Sequence, residues 1–399
     1  MTAYLDYAAS APMPAEVLAS YHEDLSRLAK EPGNPNALHG AGRAAREMLE
    51  DARARVADAL GADAQEVLFT SGATEANNLF LNGATRAKLE KAATLESAQS
   101  SSTQVTIYSS DLEHPAVKVV LEGLGGPQVD LIPVAVSASG VVALPDLAEK
   151  LAACPADLAS FMMVNNELGT IQPVAELTEL VKRANPEALV HTDAAQAVGQ
   201  IPVDFHALQV DALSLSAHKF GGPIGVGALL LKREIPVVSD RRGGGQERSL
   251  RSGTQNVAGA RAMAKAIELA TAKNAQRDRR LADLRQRLIA GLDSRVCLTT
   301  NAPTTAHMVH LRLPTKHPEI VLLMMDQSQV AVSAGSACHA GVTRPSSTLL
   351  AIGLPEEEAM GALRISFGDQ TTEADIDQFL MALPPALDAA QRLDKRERK

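Results

Sequence analysis

Apolar positions early in the chain recur at three- and four-residue intervals. Val17, Leu18, Tyr21, Leu25 and Leu28 predict a helix over residues 15–30, and Ala45, Met48, Leu49, Ala52, Val56 and Leu60 a second over 42–60, ended by Gly61. Between them, Glu31-Pro32-Gly33-Asn34-Pro35-Asn36 is a turn cluster. Asn34, held extended before a proline, can either cap its own backbone or turn its amide toward a ligand. From residue 67 the pattern changes. Short apolar runs at 67–70, 105–109, 160–164, 189–192, 212–215 and 227–231 stop abruptly at polar or small residues, the mark of buried strands separated by helices. The polar stretch 85–104 reads as a solvated loop, and 243–254 as a flexible polar one. A long charged helix is expected over 257–292, with Met263, Ile267, Leu281, Leu284 and Leu288 on its apolar stripe. Beyond it, strands near 308–313, 330–333 and 363–366 mix with helices near 319–325 and 373–383.

Alternating strands and helices imply an α/β fold with a mainly parallel sheet, whose ligands collect at the carboxyl ends of the strands. The expected division is a large α/β domain over 15–256, and a smaller α+β domain made from 1–14 and 257–399. The residues that fall at the strand ends carry chemistry. Ser71-Gly72-Ala73-Thr74 turns from a strand into a helix, where backbone N–H groups and the Thr74 hydroxyl can seat a phosphate, although the same pattern also serves as an ordinary helix cap. His114 stands at a helix entrance and can stack on an aromatic ring or exchange a proton. Asn166 follows the 160–164 run, and Asp193 follows 189–192, a place from which a carboxylate could hold a pyridine nitrogen protonated.

Ser216-Ala217-His218-Lys219-Phe220-Gly221-Gly222-Pro223 ends the 212–215 run with a lysine among small residues. Such an amine suits a Schiff base with the aldehyde of pyridoxal phosphate, with Ser216 and His218 near its phosphate; a lysine merely reaching solvent is the ordinary alternative. The other polar groups at neighbouring strand ends favour the first reading. Cys338 lies in a loop of small residues, Ala334-Gly335-Ser336-Ala337-Cys338-His339-Ala340-Gly341, which suits a reactive thiol. Arg364, in a strand, is placed to fork a carboxylate or to make a structural ion pair.

Composition narrows the class. With 399 residues, 46% hydrophobic and 21% charged, the chain can bury a large site. Lys plus Arg number 38 against 47 Asp plus Glu, a net charge of -9, so nucleic-acid binding through a charged face is not expected. Three cysteines, Cys154, Cys297 and Cys338, are too scattered for a disulfide framework or a zinc knuckle, and no metal site is expected. The N-terminus has neither a basic start nor an apolar core and no window suits a bilayer, so a cytoplasmic protein is expected.

Taken together, the segments Leu5-Asp6-Tyr7-Ala8-Ala9, Gly33-Asn34-Pro35, Thr70-Ser71-Gly72-Ala73-Thr74-Glu75, Glu113-His114, Asn165-Asn166-Glu167-Leu168-Gly169, Asp193-Ala194-Ala195-Gln196, Ser216-Ala217-His218-Lys219, Arg251-Ser252-Gly253-Thr254 and Gly335-Ser336-Ala337-Cys338 resemble, in order and spacing, the cysteine desulfurases of the iron-sulfur-assembly type. These belong to the class V aminotransferase group of pyridoxal-phosphate enzymes with the type I fold. The resemblance implies that Lys219 carries the cofactor. Ala73, Thr74, Ser216 and His218 would seat its phosphate, with Thr254 reaching it from the partner subunit of a homodimer. It also implies that His114 stacks on the ring, Asp193 pairs with its nitrogen, Gln196 bonds its phenolic oxygen, and Asn34, Asn166 and Arg364 receive the carboxylate of L-cysteine. Cys338 would take the sulfur as a persulfide, leaving alanine, and pass it to a scaffold or thiolation acceptor.

The chain departs from the family pattern in lacking a second lysine within Phe220-Gly221-Gly222-Pro223-Ile224-Gly225, in His339 after the cysteine, and in a longer 85–104 stretch. A transaminase or selenocysteine lyase of the same group would need Lys219 and Asp193 but not Cys338. A non-enzymatic scaffold would need none of them.

Overall fold

The computed structural model describes residues 2–96, 104–272, 275–334 and 345–397. After β1 (Ala3–Tyr4) come α1 (Ala15–Lys30) and α2 (Gly40–Leu60), with Gly61 left-handed at φ 61° to stop the second helix. Seven strands then build one sheet: β2 (Val67–Thr70), β3 (Val105–Ser110), β4 (Val129–Val134), β5 (Leu158–Ser160), β6 (Leu189–Asp193), β7 (Ala212–Ser216) and β8 (Gly227–Leu231). Their spatial order is β2-β8-β7-β6-β5-β3-β4. Every neighbouring pair is parallel except those of β8, which runs against both β2 and β7. That single reversal restores β2 to the common direction, so β2, β3, β5, β6 and β7 all end on one edge of the sheet.

Helices α3 (Ala73–Glu96), α4 (Pro115–Leu124), α5 (Leu144–Ala153) and α6 (Val174–Ala184) lie in the connections. Because both faces of the sheet are covered, successive strand residues are apolar on both sides. Leu213 and Leu215, or Ala228 and Leu230, enter the core shared with α2, whereas Ala212, Leu229 and Leu231 pack with Phe80 and Leu79 of α3.

The remainder comprises α7 (Val257–Thr271), α8 (Ala275–Ala290), β9 (Cys297–Leu298), β10 (Met308–Arg312), α9 (Pro318–Gln327), β11 (Val330–Ala331), α10 (Ser347–Ala351), α11 (Glu356–Met360), β12 (Ala362–Ser366) and α12 (Glu373–Glu397). An antiparallel sheet in the order β12-β10-β9 packs with α8, α9 and α12 around a separate core of Leu284, Leu288, Val309, Ile365 and Phe379. β1 pairs in parallel with β11, and Leu5 joins this second core.

Several expectations need correcting. The helix expected to close before residue 85 runs to Glu96, and Thr85 is fully buried, so the stretch expected as loop is largely helix; residues 97–103 lie outside the described residues. The 160–164 run stops being strand after Ser160, though the N–H groups of Phe161 and Met163 still reach β6 carbonyls. The long helix of 257–292 is two, α7 and α8. Met263 and Ile267 sit in the core of the large sheet, Leu281 and Leu284 in the second core, so packing changes over between α7 and α8 and not near Val257. The loop 243–254 contains a short 3-10 turn at Glu247–Ser249, in which all three residues have positive φ (46°, 58° and 62°). Left-handed backbone is costly for L-residues, and it is held here by the buried Glu247 carboxylate, which accepts from both Arg53 terminal nitrogens (2.8 and 2.9 Å) and from the Phe69 N–H (2.9 Å). Finally, α12 passes through Pro384 and Pro385 because Leu383, Ala386 and Leu387 are buried in the second core on either side.

Candidate active site

The shared strand edge opens into a cleft of about 870 Å³. Ala73, Thr74, His114, Asn166, Asp193, Gln196, Ser216, His218, Lys219 and Arg364 all line it.

One wall is the strand edge itself. Gly227 stands in register between Thr70 and Ser216, and a Cβ on it would lie 2.5 Å from both the Gly72 Cα and the Leu215 oxygen. Only glycine lets the turn 71–73 press against β8, which brings the start of α3 opposite Ser216 and His218. Backbone N–H groups at a helix start, the Thr74 hydroxyl and Ser216 are donors that could seat an anion here. Burial, with Lys219 adding, pushes His218 down to about 4, so it offers a neutral imidazole.

Lys219 lies on the cleft floor. Its Nζ donates to the carbonyls of Ala8 (2.8 Å) and Ala9 (3.1 Å). Burial first, then Arg364, lowers its pKa to about 8 against the opposing pull of Asp193 and Asp6, which leaves a useful fraction of neutral, nucleophilic amine near pH 7. Asp193, at the end of β6, accepts from the Ala195 N–H (2.9 Å) and the Asn77 amide (2.8 Å). His114 caps α4, its Nδ1 accepting from the Ala116 N–H at 3.1 Å, so the neutral ring carries its proton on Nε2. Burial lowers the His114 pKa despite Asp193. Gln196 donates to Ala8 O at 2.9 Å.

The opposite wall comes from distant segments. Arg364 of β12 is buried; its terminal nitrogens donate to Asp6 Oδ1 and to the Asn166 carbonyl, both at 2.8 Å, while Nε has no partner among the described residues. A buried guanidinium with a spare donor fits an incoming carboxylate. Asn165 shapes the turn that presents Asn166, its Oδ1 accepting from the N–H groups of Glu167 and Leu168. Glu167 then accepts from the Ser346 (2.5 Å) and Thr348 (3.0 Å) hydroxyls, and burial raises its pKa.

Two expected residues do not line this cleft, and a third is not among the described residues. Asn34 is exposed and does not line the cleft, and its Oδ1 accepts from the Asn36 N–H at 3.0 Å, the self-capping alternative. Thr254 is exposed and away from this cleft. Cys338 lies outside the described residues, which resume at Pro345 on the cleft rim. Cys154 and Cys297 do not line the cleft.

Sequence reasoning gave no site role to Asp6, Ser10, Asn77, Glu113 or Glu167. Glu113 lines the cleft with its carboxyl pushed up to about 8 by burial. Its place beside His114 was the one local signal.

The residues present fit pyridoxal phosphate: an anion seat, a buried amine of lowered pKa and a carboxylate held by donors surround one cavity. Comparison with known proteins agrees. The family described as Aminotransferase class-V matches residues 3–379. An IscS-like cysteine desulfurase of Mycobacterium tuberculosis is 39% identical, over 98% of this chain and 97% of that protein. Cysteine desulfurase IscS of Methanosarcina thermophila is 35% identical, over 96% and 91%. A solved NifS-like protein superposes with a TM-score of 0.86 at 34% identity, covering 97% of this chain and 100% of that one.

Proposed function

The chain belongs to the class V aminotransferase family and is a pyridoxal-phosphate-dependent cysteine desulfurase acting on L-cysteine; from that premise we propose which residues perform the reaction. Lys219 attaches the cofactor, and the observation that carries this is its Nζ, drawn down to about 8 and held by the Ala8 and Ala9 carbonyls on the cleft floor. Ala73, Thr74, Ser216 and His218 bind the phosphate. Asp193 holds the ring nitrogen protonated, His114 covers the ring face and Gln196 bonds the phenolic oxygen. When bound, the cofactor supplies the electron sink that loosens the carbon–sulfur bond of the substrate.

Arg364 receives the substrate carboxylate with Asn166 beside it. Arg364 is fixed from behind by Asp6, so L-cysteine meets a guanidinium already oriented. Lys219, released from its resting bonds, moves the proton at the substrate Cα, and His114, which carries its proton on Nε2, donates that N–H to the substrate sulfur. Cys338, as thiolate, forms a bond to the substrate sulfur as the carbon–sulfur bond breaks; the enzyme keeps a persulfide and alanine leaves. We further propose a homodimer in which Thr254 completes the partner subunit's phosphate seat, cytoplasmic location, and transfer of the persulfide sulfur to a scaffold for iron–sulfur clusters or to a thiolation acceptor. Among the described residues no helix is long and apolar enough to cross a membrane.

Cys338→Ser tests the scheme. It should bind cofactor, and L-cysteine should still shift the visible spectrum, because Lys219 and Arg364 are intact. Sulfide release with dithiothreitol should fall by about two orders of magnitude or more. Brief exposure of the parent enzyme to L-cysteine without reductant should add sulfur to the Cys338 peptide and not to those of Cys154 or Cys297. Undiminished sulfide release from the serine variant refutes the persulfide route.

A further inference from the structure

Behind the cleft a buried amide touches Asp193. Asn77 lies one turn into α3, fully buried, and its Nδ2 donates to Asp193 Oδ2 at 2.8 Å. Its Oδ1 is buried with no donor among the described residues. Turning the amide over would aim that oxygen at the carboxylate, so the carboxylate fixes the orientation and the bare acceptor is tolerated for it. The rest of this helix face shows how the amide is delivered. Phe80, three residues on, stacks on His191 with ring centroids 5.3 Å apart, and His191 precedes Asp193 by two residues on the same face of β6. The i, i+3 pair of the helix thus matches the i, i+2 pair of the strand.

His191 gives Asp193 no charge. Its ring nitrogens lie 2.9 Å from the Ser160 and Ser214 hydroxyls, and burial pushes it down to about 4. The Ala195 N–H holds the other carboxylate oxygen. Among the described residues, Asn77 is therefore the one side chain hydrogen-bonded to Asp193.

We propose that Asn77 is a positioning residue for the reaction: its Nδ2–H holds the Asp193 carboxylate in one orientation, so that the carboxylate stays aimed at the cofactor's ring nitrogen and the proton stays on that nitrogen. This rests on the assignment of Asp193 to that nitrogen made above. Without the donor the carboxylate is free to rotate, and the ring nitrogen loses a fixed charge partner.

The test uses holoenzyme loaded with cofactor labelled with ¹⁵N at the ring nitrogen. In Asn77→Leu, close in size but without a donor, the ¹⁵N signal should move from the pyridinium position toward neutral pyridine. kcat should fall about 10- to 100-fold, while KM for L-cysteine stays within about threefold. If Asn77→Leu does not fold, Asn77→Ala is read by the same two measurements. A folded, loaded variant with unmoved ¹⁵N signal overturns the proposal, even if its thermal stability is lower, because a structural role alone would do that. Asp193→Ala separates the two readings. If it leaves the signal unmoved, the Asp193 assignment falls and this proposal with it. If it moves the signal and the Asn77 variants do not, only the role of Asn77 falls.

Discussion

The proposed cofactor wall of the cleft is made of neighbouring strand ends, whereas the proposed substrate wall is assembled from segments far apart in the chain. On the first wall, Thr70, Gly227 and Ser216 are in sheet register, and the turn 71–73 is pressed against β8 by a glycine contact. On the second, Arg364 reaches Asp6 across 358 residues of sequence and Asn166 across 198, and Glu167 reaches Ser346 across 179. In the proposed assignment the sheet edge holds the group that must stay bound, and substrate groups meet a wall tied by side chains. The cofactor contacts thus inherit their geometry from the sheet, and the substrate contacts must be built pair by pair.

Substitutions that respect this division should separate binding of cofactor from binding of substrate. Lys219→Ala should have the largest effect, a loss of at least about a thousandfold in alanine formation together with loss of the borohydride-reducible link. An active Lys219→Ala protein would remove the cofactor wall from the mechanism. Arg364→Ala should leave cofactor loading near that of the parent and raise KM for L-cysteine by about a hundredfold, as expected for a lost charge-assisted pair. An equal fall in cofactor content would mean that the two walls are not independent.

A pH series gives a smaller effect. The Lys219 amine must be neutral to attack the cofactor aldehyde, and its pKa lies near 8 instead of 10.5. Reconstitution of cofactor-free enzyme should therefore quicken about tenfold between pH 7 and 9 and then level off, where an ordinary lysine would keep gaining toward pH 10.5. A rate still climbing above pH 9 would place Lys219 outside the buried setting described. The smallest change expected is in Asp6→Asn, which keeps an acceptor for Arg364 but removes the charge. KM should rise about fivefold with kcat little altered, and a change in kcat alone would show that Asp6 does more than orient the guanidinium.

The same contrast governs what the sequence discloses. Thr74, Ser216, His218, Lys219 and Asp193 each follow an apolar run, so strand ends name them one at a time. Asp6 and Glu167 acquire meaning only through partners hundreds of residues away, and no local pattern announces such a pairing. Asn34 shows the converse: its turn suggests two partners, and in this structure its Oδ1 accepts from a nearby N–H. α3 hid within a polar, alanine-rich stretch because its stability comes from burial against the sheet, as at Thr85, and not from a regular apolar stripe. The end of α7 was masked for a related reason, since one stripe of apolar residues serves two different cores.

The opening ten residues join the two walls. Leu5 packs in the second core, Asp6 holds Arg364, Ala8 and Ala9 hold Lys219, and Ser10 lies 3.4 Å from His218. Ser366 receives this segment, donating its N–H to the Leu5 carbonyl at 2.8 Å and accepting the Ala8 N–H at 2.9 Å on its hydroxyl. Time enters through synthesis, which runs from the N-terminus. Residues 3–8 must wait for some of their partners, because β11 and β12 are made long after them. A nascent chain that has reached Lys219 already holds the Ala8 and Ala9 carbonyls, yet the Arg364 guanidinium that Asp6 holds does not yet exist. The cleft is thus completed only once β12 has been made, by a segment made long before it.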